Sequence, residues 1–288
     1  MCDVSMILNV SGRTDIVAFY TEWFMNRYKE GYVMVRNPFN YHLVNEIYFE
    51  DVDLIVFCTK NPLPIIDRIK EIDKPILEPN VIDKKDIIEG VKELSKIIGI
   101  DNIYIRYDPI FLSDKYNIEY HIKAFNKLCS ILNGYVKHII VSFIDDYKNV
   151  RYNNNILKIK PFTKEDYKLL GESFSRIVKE NNMTVQTCAE EETLEEYGFI
   201  KEECLSHTLA YKLTGKSYKD WTSRGSKYCR CVNMVDIGVY NSCRHFCKYC
   251  YANYDENKVI ENYHNHDVNS PLLIGNIEDN DIIKRRYK

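Results

Sequence analysis

The sequence has no long apolar run, which excludes a membrane-spanning helix: no stretch approaches the about 20 residues that cross a bilayer. The first residues also lack the basic segment and apolar core of a secretory signal. Neither sign of charge is in large excess, since 39 basic and 42 acidic side chains leave a formal charge of −3. We therefore expect a cytoplasmic protein that does not bind membranes, and nothing in the charge balance favours nucleic acid.

Several familiar motifs are missing as well. The chain contains no internal repeat, no low-complexity segment, no glycine-rich loop that cradles phosphates and no serine- or cysteine-hydrolase pattern. Its 288 residues, 45% of them hydrophobic, are enough to build one large core. We expect a single domain over residues 1–288.

Short β-branched runs alternate with longer segments of helical periodicity, which predicts parallel βαβ units. The predicted strands are Met6–Val10, Leu54–Cys58, Pro75–Glu78, Ile103–Arg106, Ile139–Phe143, Thr184–Thr187 and Val235–Tyr240, with a hairpin of Tyr32–Arg36 and Glu46–Phe49. Predicted helices begin near residues 16, 87, 118 and 164; Gly31, Gly99 and Gly134 end the first three, and Thr163 caps the fourth.

Polar segments directly follow six of these strands. They are Ser11–Asp15, Thr59–Pro62, Arg106–Pro109, Asp145–Asp146, Cys188–Glu190 and the segment that begins at Cys243. In α/β barrels the active site is built from the loops at the carboxyl ends of the strands. The alternative is that these are ordinary turn and helix-capping residues. The repetition favours the first interpretation, a TIM-like βα barrel, complete or partial.

The densest chemical signal is the spacing C-x3-C-x2-C in Cys243, Cys247 and Cys250, with Tyr249 before the last cysteine. Structural disulfides are not expected in a reducing compartment, so clustered cysteines indicate a metal or redox site. Ferredoxin clusters are held by four cysteines. Three thiolates would leave one iron open, and an open metal position is where chemistry can occur.

This spacing resembles the signature of the radical S-adenosylmethionine (SAM) enzymes. The resemblance implies a [4Fe–4S] cluster on the three cysteines, with SAM chelated at the open iron. It also implies reductive cleavage of SAM to a 5′-deoxyadenosyl radical. An external electron donor such as flavodoxin or ferredoxin would act on the enzyme, whose small-molecule or peptide substrate is unknown.

The order of the chain differs from that family, in which the cluster loop follows the first strand. Here 38 residues follow Cys250, too few for the remaining strands. We therefore expect a circularly permuted barrel, in which the cluster-bearing strand is last and lies beside the strand that ends at Ser11. The family's glycine-glycine-glutamate motif is missing downstream; in the permuted arrangement Ser11, Arg13 and Asp15 would take its role toward the SAM amino group.

The chain also resembles an uncharacterised bacterial family known only as a domain of unknown function. The shared segments are Ser11–Asp15, Thr59–Pro62, Tyr107–Pro109 and Cys243–Asn253. Thr59–Pro62 is similar as well to a short segment of the spore photoproduct lyase branch of radical SAM enzymes. The resemblance supports the radical SAM hypothesis and transfers no substrate.

A second set of cysteines lies outside the loop, and three of its members lie in an expected cysteine-rich insertion at residues 201–233, of which the last two lead into the last strand. The set is Cys188, Cys204, Cys229 and Cys231. Four cysteines can hold an auxiliary [4Fe–4S] cluster or a zinc ion, and the C-x-C spacing of the last two is unusual for zinc. Some of them could instead be buried thiols. Cys58 and Cys129 fit that description, and Cys2 is expected in the terminus.

Other polar residues are candidates to line the SAM and substrate pocket: Tyr249, Lys60, Asn61, Arg106, Asp108 and Glu190. A lysine or arginine there can pair with the SAM carboxylate and an aspartate with its hydroxyls or amino group. Arg106 and Asp108 could equally form a structural ion pair. His245, within the cysteine loop, is expected to hydrogen-bond near the cluster rather than to ligate it.

Two other functions stay open. The cysteines could serve a non-catalytic iron–sulfur or zinc protein, and the short lyase-like segment could indicate repair or modification of nucleic acid by radical SAM chemistry. Metal analysis distinguishes the first from an enzyme, and salt-dependent DNA or RNA binding tests the second.

Overall fold

A computed structural model describes residues 6–80, 85–218 and 228–287. Cys2 and part of the predicted cysteine-rich insertion lie outside these ranges. The strands are β1 Met6–Asn9, β2 Tyr32–Asn37, β3 Asn40–Tyr48, β4 Val52–Val56, β5 Ile76–Asn80, β6 Ile103–Ile110, β7 His138–Phe143, β8 Thr184–Thr187, β9 Val235–Asp236 and β10 Ile282–Arg285.

Ten α-helices occur in the described part of the chain. They are α1 Ile16–Phe19, α2 Thr21–Glu30, α3 Leu63–Ile66, α4 Lys85–Ile98, α5 Ile118–Leu132, α6 Lys148–Tyr152, α7 Asn154–Leu157, α8 Lys164–Glu180, α9 His207–Thr214 and α10 Glu256–His264. Short 3₁₀ turns cover Phe49–Asp51, Ile69–Glu71, Ile100–Asn102 and Glu195–Tyr197.

Local signals account for the predicted helices. Thr163 caps α8 in a reciprocal capping box: its hydroxyl accepts from the Asp166 amide, and the Asp166 carboxylate accepts from the Thr163 amide. Gly31 ends α2 in the left-handed conformation with φ of 85°, which costs glycine little. The first predicted helix is divided, because Tyr20 separates α1 from α2.

The main sheet has seven strands in the order β8-β7-β6-β5-β4-β1-β9, and every pairing in it is parallel. Its six strands from β1 to β8 therefore follow chain order across the sheet. The seventh strand, β9, comes last in the sequence and pairs with β1. The predicted adjacency of these two strands is confirmed, with Leu8 opposite Val235. The strand predicted to reach Tyr240 is shorter than expected and ends at Asp236.

The α/β class is confirmed, but a closed barrel is not found. Among the residues that the structure describes, no pairing joins the two edge strands β8 and β9. A barrel needs every strand paired on both sides, so this sheet is open.

Successive side chains of a strand point to opposite faces of the sheet, and each face of the main sheet carries an apolar core. The larger core lies between the sheet and its helices and includes Leu8, Ile105, Val141 and Phe174. On the other face, α9 and its flanking segments cover the sheet. That smaller core contains Ile7, Leu54, Val56, Tyr104, Ile140, Leu205, Ala210, Tyr218, Cys231 and Val232. The described part of the predicted insertion therefore packs against the sheet.

A separate three-stranded sheet has the order β10-β3-β2. The predicted hairpin is its antiparallel β2–β3 pair, while β10, which pairs parallel to β3, was not predicted. In the described part of the chain, no helix combines the length and apolar character needed to cross a membrane.

Candidate metal and cofactor site

The three-cysteine loop follows β9 and is clamped from the side by α6. Asn149 donates from its amide nitrogen to the carbonyls of Cys250 and Asn253, both at 2.9 Å. Asn153, at the end of the same helix, donates to the Lys248 carbonyl at 2.9 Å. Within the loop, Phe246 has φ of 52°, a left-handed conformation that costs a non-glycine residue energy. These bonds hold the loop in a conformation that it would not keep alone.

The segment that follows β1 holds the start of this loop. The Thr14 hydroxyl accepts from the Val239 amide at 2.9 Å and lies against the Ser242 hydroxyl. Tyr20 donates its hydroxyl to the Ser242 carbonyl at 2.8 Å. Tyr251, beyond the last cysteine, donates to the carbonyl of Gly12 at 2.8 Å. The segment after β1 therefore binds the loop on both sides of its cysteines.

Asp15 connects three parts of the site. One carboxylate oxygen accepts from the Ala18 amide and caps α1 at 3.0 Å. The other accepts from the backbone amide of Lys60 at 2.8 Å and lies 2.7 Å from Nε2 of His245. His245 also packs edge-on against the ring of Phe19, with centroids 4.7 Å apart. His245 therefore links the loop to the segment after β1.

Lys60 reaches the loop with its side chain. Its ammonium group donates to the Cys247 sulfur at 3.1 Å and to the Tyr249 hydroxyl at 2.8 Å. Burial alone would lower the pKa of Lys60, but the neighbouring Tyr249 and Cys247 raise it above its ordinary value. A permanently cationic group therefore sits against one of the three sulfurs.

A cleft of about 690 Å³ opens beside Cys247, Tyr249 and Lys60. Arg106 and Asp108, both in β6, lie on the wall of this cleft. The Nε and one terminal nitrogen of Arg106 donate to the same carboxylate oxygen of Asp108, at 2.9 and 2.7 Å. Aromatic and imidazole rings form another part of the wall: Phe19, Tyr107, Phe111, Tyr116, Tyr120, His121 and His245. The cleft combines charged groups with flat apolar surfaces, as ligand pockets commonly do.

The structure brings some of the predicted pocket residues together and separates others. Lys60, Asn61, Arg106, Asp108 and Tyr249 all line this cleft. The other four predicted residues lie elsewhere. Asp15 contacts His245 of the loop, and Ser11 is buried, its hydroxyl without a hydrogen-bond partner among the described residues. Arg13 forms an ion pair with Asp236 at 2.8 Å, and Glu190 accepts from the Phe143 amide at 2.9 Å beside the second cysteine set. Arg13 faces a different cleft, next to Tyr240.

The four cysteines of the second set are gathered in one place. The sulfur of Cys204 lies 3.5 Å from that of Cys188 and 3.2 Å from that of Cys231. Cys229 lines the same cleft as the other three. By contrast, Cys129 is fully buried in the larger core, as predicted.

The loop's donor set fits an iron–sulfur cluster better than a single zinc ion. A tetrahedral zinc ion, with zinc–sulfur bonds of about 2.3 Å, sets its sulfurs about 3.8 Å apart. Among the described residues, the groups of three ligand atoms that lie within 4.8 Å of one another do not include the three loop cysteines. Burial raises the pKa of Cys243 to about 12, so this sulfur needs a bound cation to ionise near neutral pH.

Some contributors to the site were not predicted. Asn149 and Asn153 hold the loop from α6, whose sequence has no clear helical periodicity. Thr14 and Tyr20 hydrogen-bond to the start of the loop across more than 220 residues of sequence. Local patterns carry no signal for such pairings.

Together these features define an α/β protein with a three-cysteine loop at the carboxyl end of a parallel strand, beside a deep cleft. The chain belongs to the family described as domain of unknown function DUF1848, whose model matches residues 7–252. The matched region extends from β1 to the loop's last cysteine and Ala252 beyond it. Neither the curated proteins nor the solved structures contain a match to this chain.

Proposed function

We propose that this protein is a radical SAM enzyme in which Cys243, Cys247 and Cys250 hold a [4Fe–4S] cluster with one open iron. The observation that carries the proposal is the position of the three-cysteine loop. It follows a parallel strand and opens on a cleft of about 690 Å³, with the Lys60 ammonium group 3.1 Å from the Cys247 sulfur. A structural metal site would not need a cleft of this size at its edge.

A cluster held by these three cysteines would supply an open iron for SAM and the electron for its reductive cleavage. The chain's own residues bind and orient the ligands. Lys60 places a positive charge where it can attract the SAM carboxylate, and Tyr249 fixes the position of that charge. The Arg106–Asp108 pair offers donors and an acceptor to polar groups on the opposite wall.

The strand order supports the same proposal. Because the cluster-bearing strand β9 pairs with β1 and the other strands follow in chain order, the sheet has the sequence of neighbours expected of a circularly permuted, partial βα barrel. The polar segments after β1, β4, β6 and β9 lie at the carboxyl ends of the strands, where such folds build their active sites.

The test is anaerobic purification with iron and sulfide analysis, followed by EPR of the reduced protein with and without SAM. We expect a cluster signal that SAM shifts and, with a reductant, formation of 5′-deoxyadenosine. Cys243→Ala should abolish both, and Cys129→Ala, which changes a buried thiol outside either cysteine set, should abolish neither.

Two results would contradict the proposal. If Cys243→Ala retained SAM cleavage, the loop would not be the site of the chemistry. If the loop held zinc, or a cluster whose spectrum ignores SAM, the protein would be a non-catalytic metal protein.

A further inference from the structure

Four cysteines from distant parts of the chain meet near the open edge of the main sheet. Cys188 directly follows β8, Cys204 precedes α9, and Cys229 and Cys231 lie in the segment that leads to β9. They line a common cleft of about 280 Å³. The sulfur–sulfur distances of 3.5 and 3.2 Å exceed the about 2.05 Å of a disulfide bond. The group is therefore a set of adjacent thiols.

Packing alone does not account for this arrangement. A buried cysteine that acts as a small apolar residue is surrounded by apolar side chains, as Cys129 is in the larger core. The four cysteines also contact the smaller core, but the cleft that they line contains polar groups that include Thr187, Glu190 and Arg230.

A cation is also directed at the group. Arg106 lies close enough to Cys188 and Cys204 to interact electrostatically with both. Its side chain is 15% exposed, and its charge is shared with Asp108. Four thiolates on a metal carry excess negative charge, which a neighbouring guanidinium compensates.

We propose that Cys188, Cys204, Cys229 and Cys231 form a second metal centre that holds an iron–sulfur cluster. The sulfur of Cys204 is close to those of Cys188 and Cys231, but no three of the four sulfurs lie within 4.8 Å of one another in the described part of the chain. The four sulfurs therefore do not form the compact ligand set of one tetrahedral zinc ion, and the C-x-C spacing of Cys229 and Cys231 is unusual for zinc. This proposal does not rest on SAM cleavage, because it concerns residues outside the loop.

The decisive variant removes the loop ligands and leaves the four cysteines intact. After anaerobic reconstitution with iron and sulfide, the triple variant Cys243→Ser, Cys247→Ser, Cys250→Ser should keep about four iron atoms per chain, the content of one [4Fe–4S] cluster. Adding Cys204→Ser and Cys231→Ser should remove that iron, whereas adding Cys129→Ser should not. A triple variant that binds one zinc ion overturns the cluster assignment, and one that binds no metal overturns the centre itself.

Thiol alkylation of the unaltered protein gives the same answer without dependence on how the variants fold. In the reconstituted protein, mass spectrometry should find the three partly exposed members, Cys188, Cys204 and Cys229, protected from iodoacetamide, and removal of the metal should expose them. Equal labelling of these three before and after metal removal would overturn the proposal, even if the loop cysteines became protected. Failure of SAM cleavage would leave this result unaffected, so the two proposals can fail separately.

Discussion

The ammonium nitrogen of Lys60 lies 3.1 Å from the Cys247 sulfur and 2.8 Å from the Tyr249 hydroxyl, which joins the end of β4 to the cysteine loop after β9. Among the described residues, Lys60 provides the only charged side chain with a hydrogen bond to a loop sulfur, and it lines the cleft. It is the point at which the proposed cluster and the proposed cofactor pocket meet.

Replacing this lysine should impair the reaction more than the metal content. Lys60→Met removes the charge and both hydrogen bonds while keeping much of the side chain's length. Because a hydrogen bond to a charged group contributes about 1.5–3 kcal/mol, kcat/KM for SAM cleavage should fall by about 10- to 100-fold. The matched control is Lys123→Met, an exposed lysine on α5. Loss of iron in Lys60→Met would show that the lysine holds the loop rather than the cofactor.

Asp15 should matter for stability because it caps a helix and binds two other segments. Asp15→Ala removes the cap of α1 and the acceptor for His245 and the Lys60 amide. We expect the free energy of unfolding to fall by about 2–4 kcal/mol, measured by urea denaturation. Asp146→Ala, at an exposed position, should change it by less than about 0.5 kcal/mol. Equal stability of the two variants would contradict the linking role of Asp15.

Gly238 lies where β9 leaves the sheet and passes the segment after β1. A β-carbon at this position would lie 2.9 Å from the Thr14 amide nitrogen and 3.0 Å from that of Arg13. Because backbone atoms cannot rotate away, Gly238→Ala should lower the free energy of unfolding by about 1–3 kcal/mol. Alanine at Gly90 provides the contrast, since the added carbon there meets the flexible side chain of Leu63. A smaller loss at Gly238 than at Gly90 would contradict this account.

His121 should make stability depend on pH. Its Nε2 lies 2.9 Å from the Phe111 carbonyl and must donate, so Nδ1 accepts from the Tyr107 hydroxyl at 2.9 Å. Burial lowers the pKa of His121 below its ordinary value of 6.5. The unfolded chain therefore takes up a proton below about pH 6.5 that the folded chain does not, and folded stability falls as the pH falls through that range.

The measurement compares unfolding free energies of the protein and of His121→Gln between pH 5 and 7.5. The difference between them should shrink as the pH falls, because only the original protein carries the penalty of a neutral buried imidazole. A constant difference across the range would contradict the prediction.

Much of the fold was predictable because its signals are local. The core side of α5 and the capping box of α8 follow from periodicity and from the residue types at their ends. The parallel strands follow from their β-branched runs, and the pairing of β9 with β1 followed from the number of residues left after Cys250.

The parts that were not predictable depend on contacts between distant residues. Strand β10 has exposed side chains at all four positions, so no alternation marked it. Arg13 was expected near the cofactor. Its ion-pair partner, Asp236, lies 223 residues away in the sequence, and only the folded chain shows that Arg13 lines a different cleft. Whether the edge strands β8 and β9 pair to close a barrel likewise depends on the assembled sheet, and among the described residues they do not pair.

The pairing of the first and last strands of the main sheet has a consequence for biosynthesis. The bond between Thr14 and Val239 spans 225 residues, so the cysteine loop cannot be clamped until nearly the whole chain has been synthesised. Until then one edge of β1 is uncovered, and contacts of such long sequence separation form slowly. Under the proposed function, insertion of the metal would follow the synthesis of both segments, and it would fasten the loop that already binds the segment after β1.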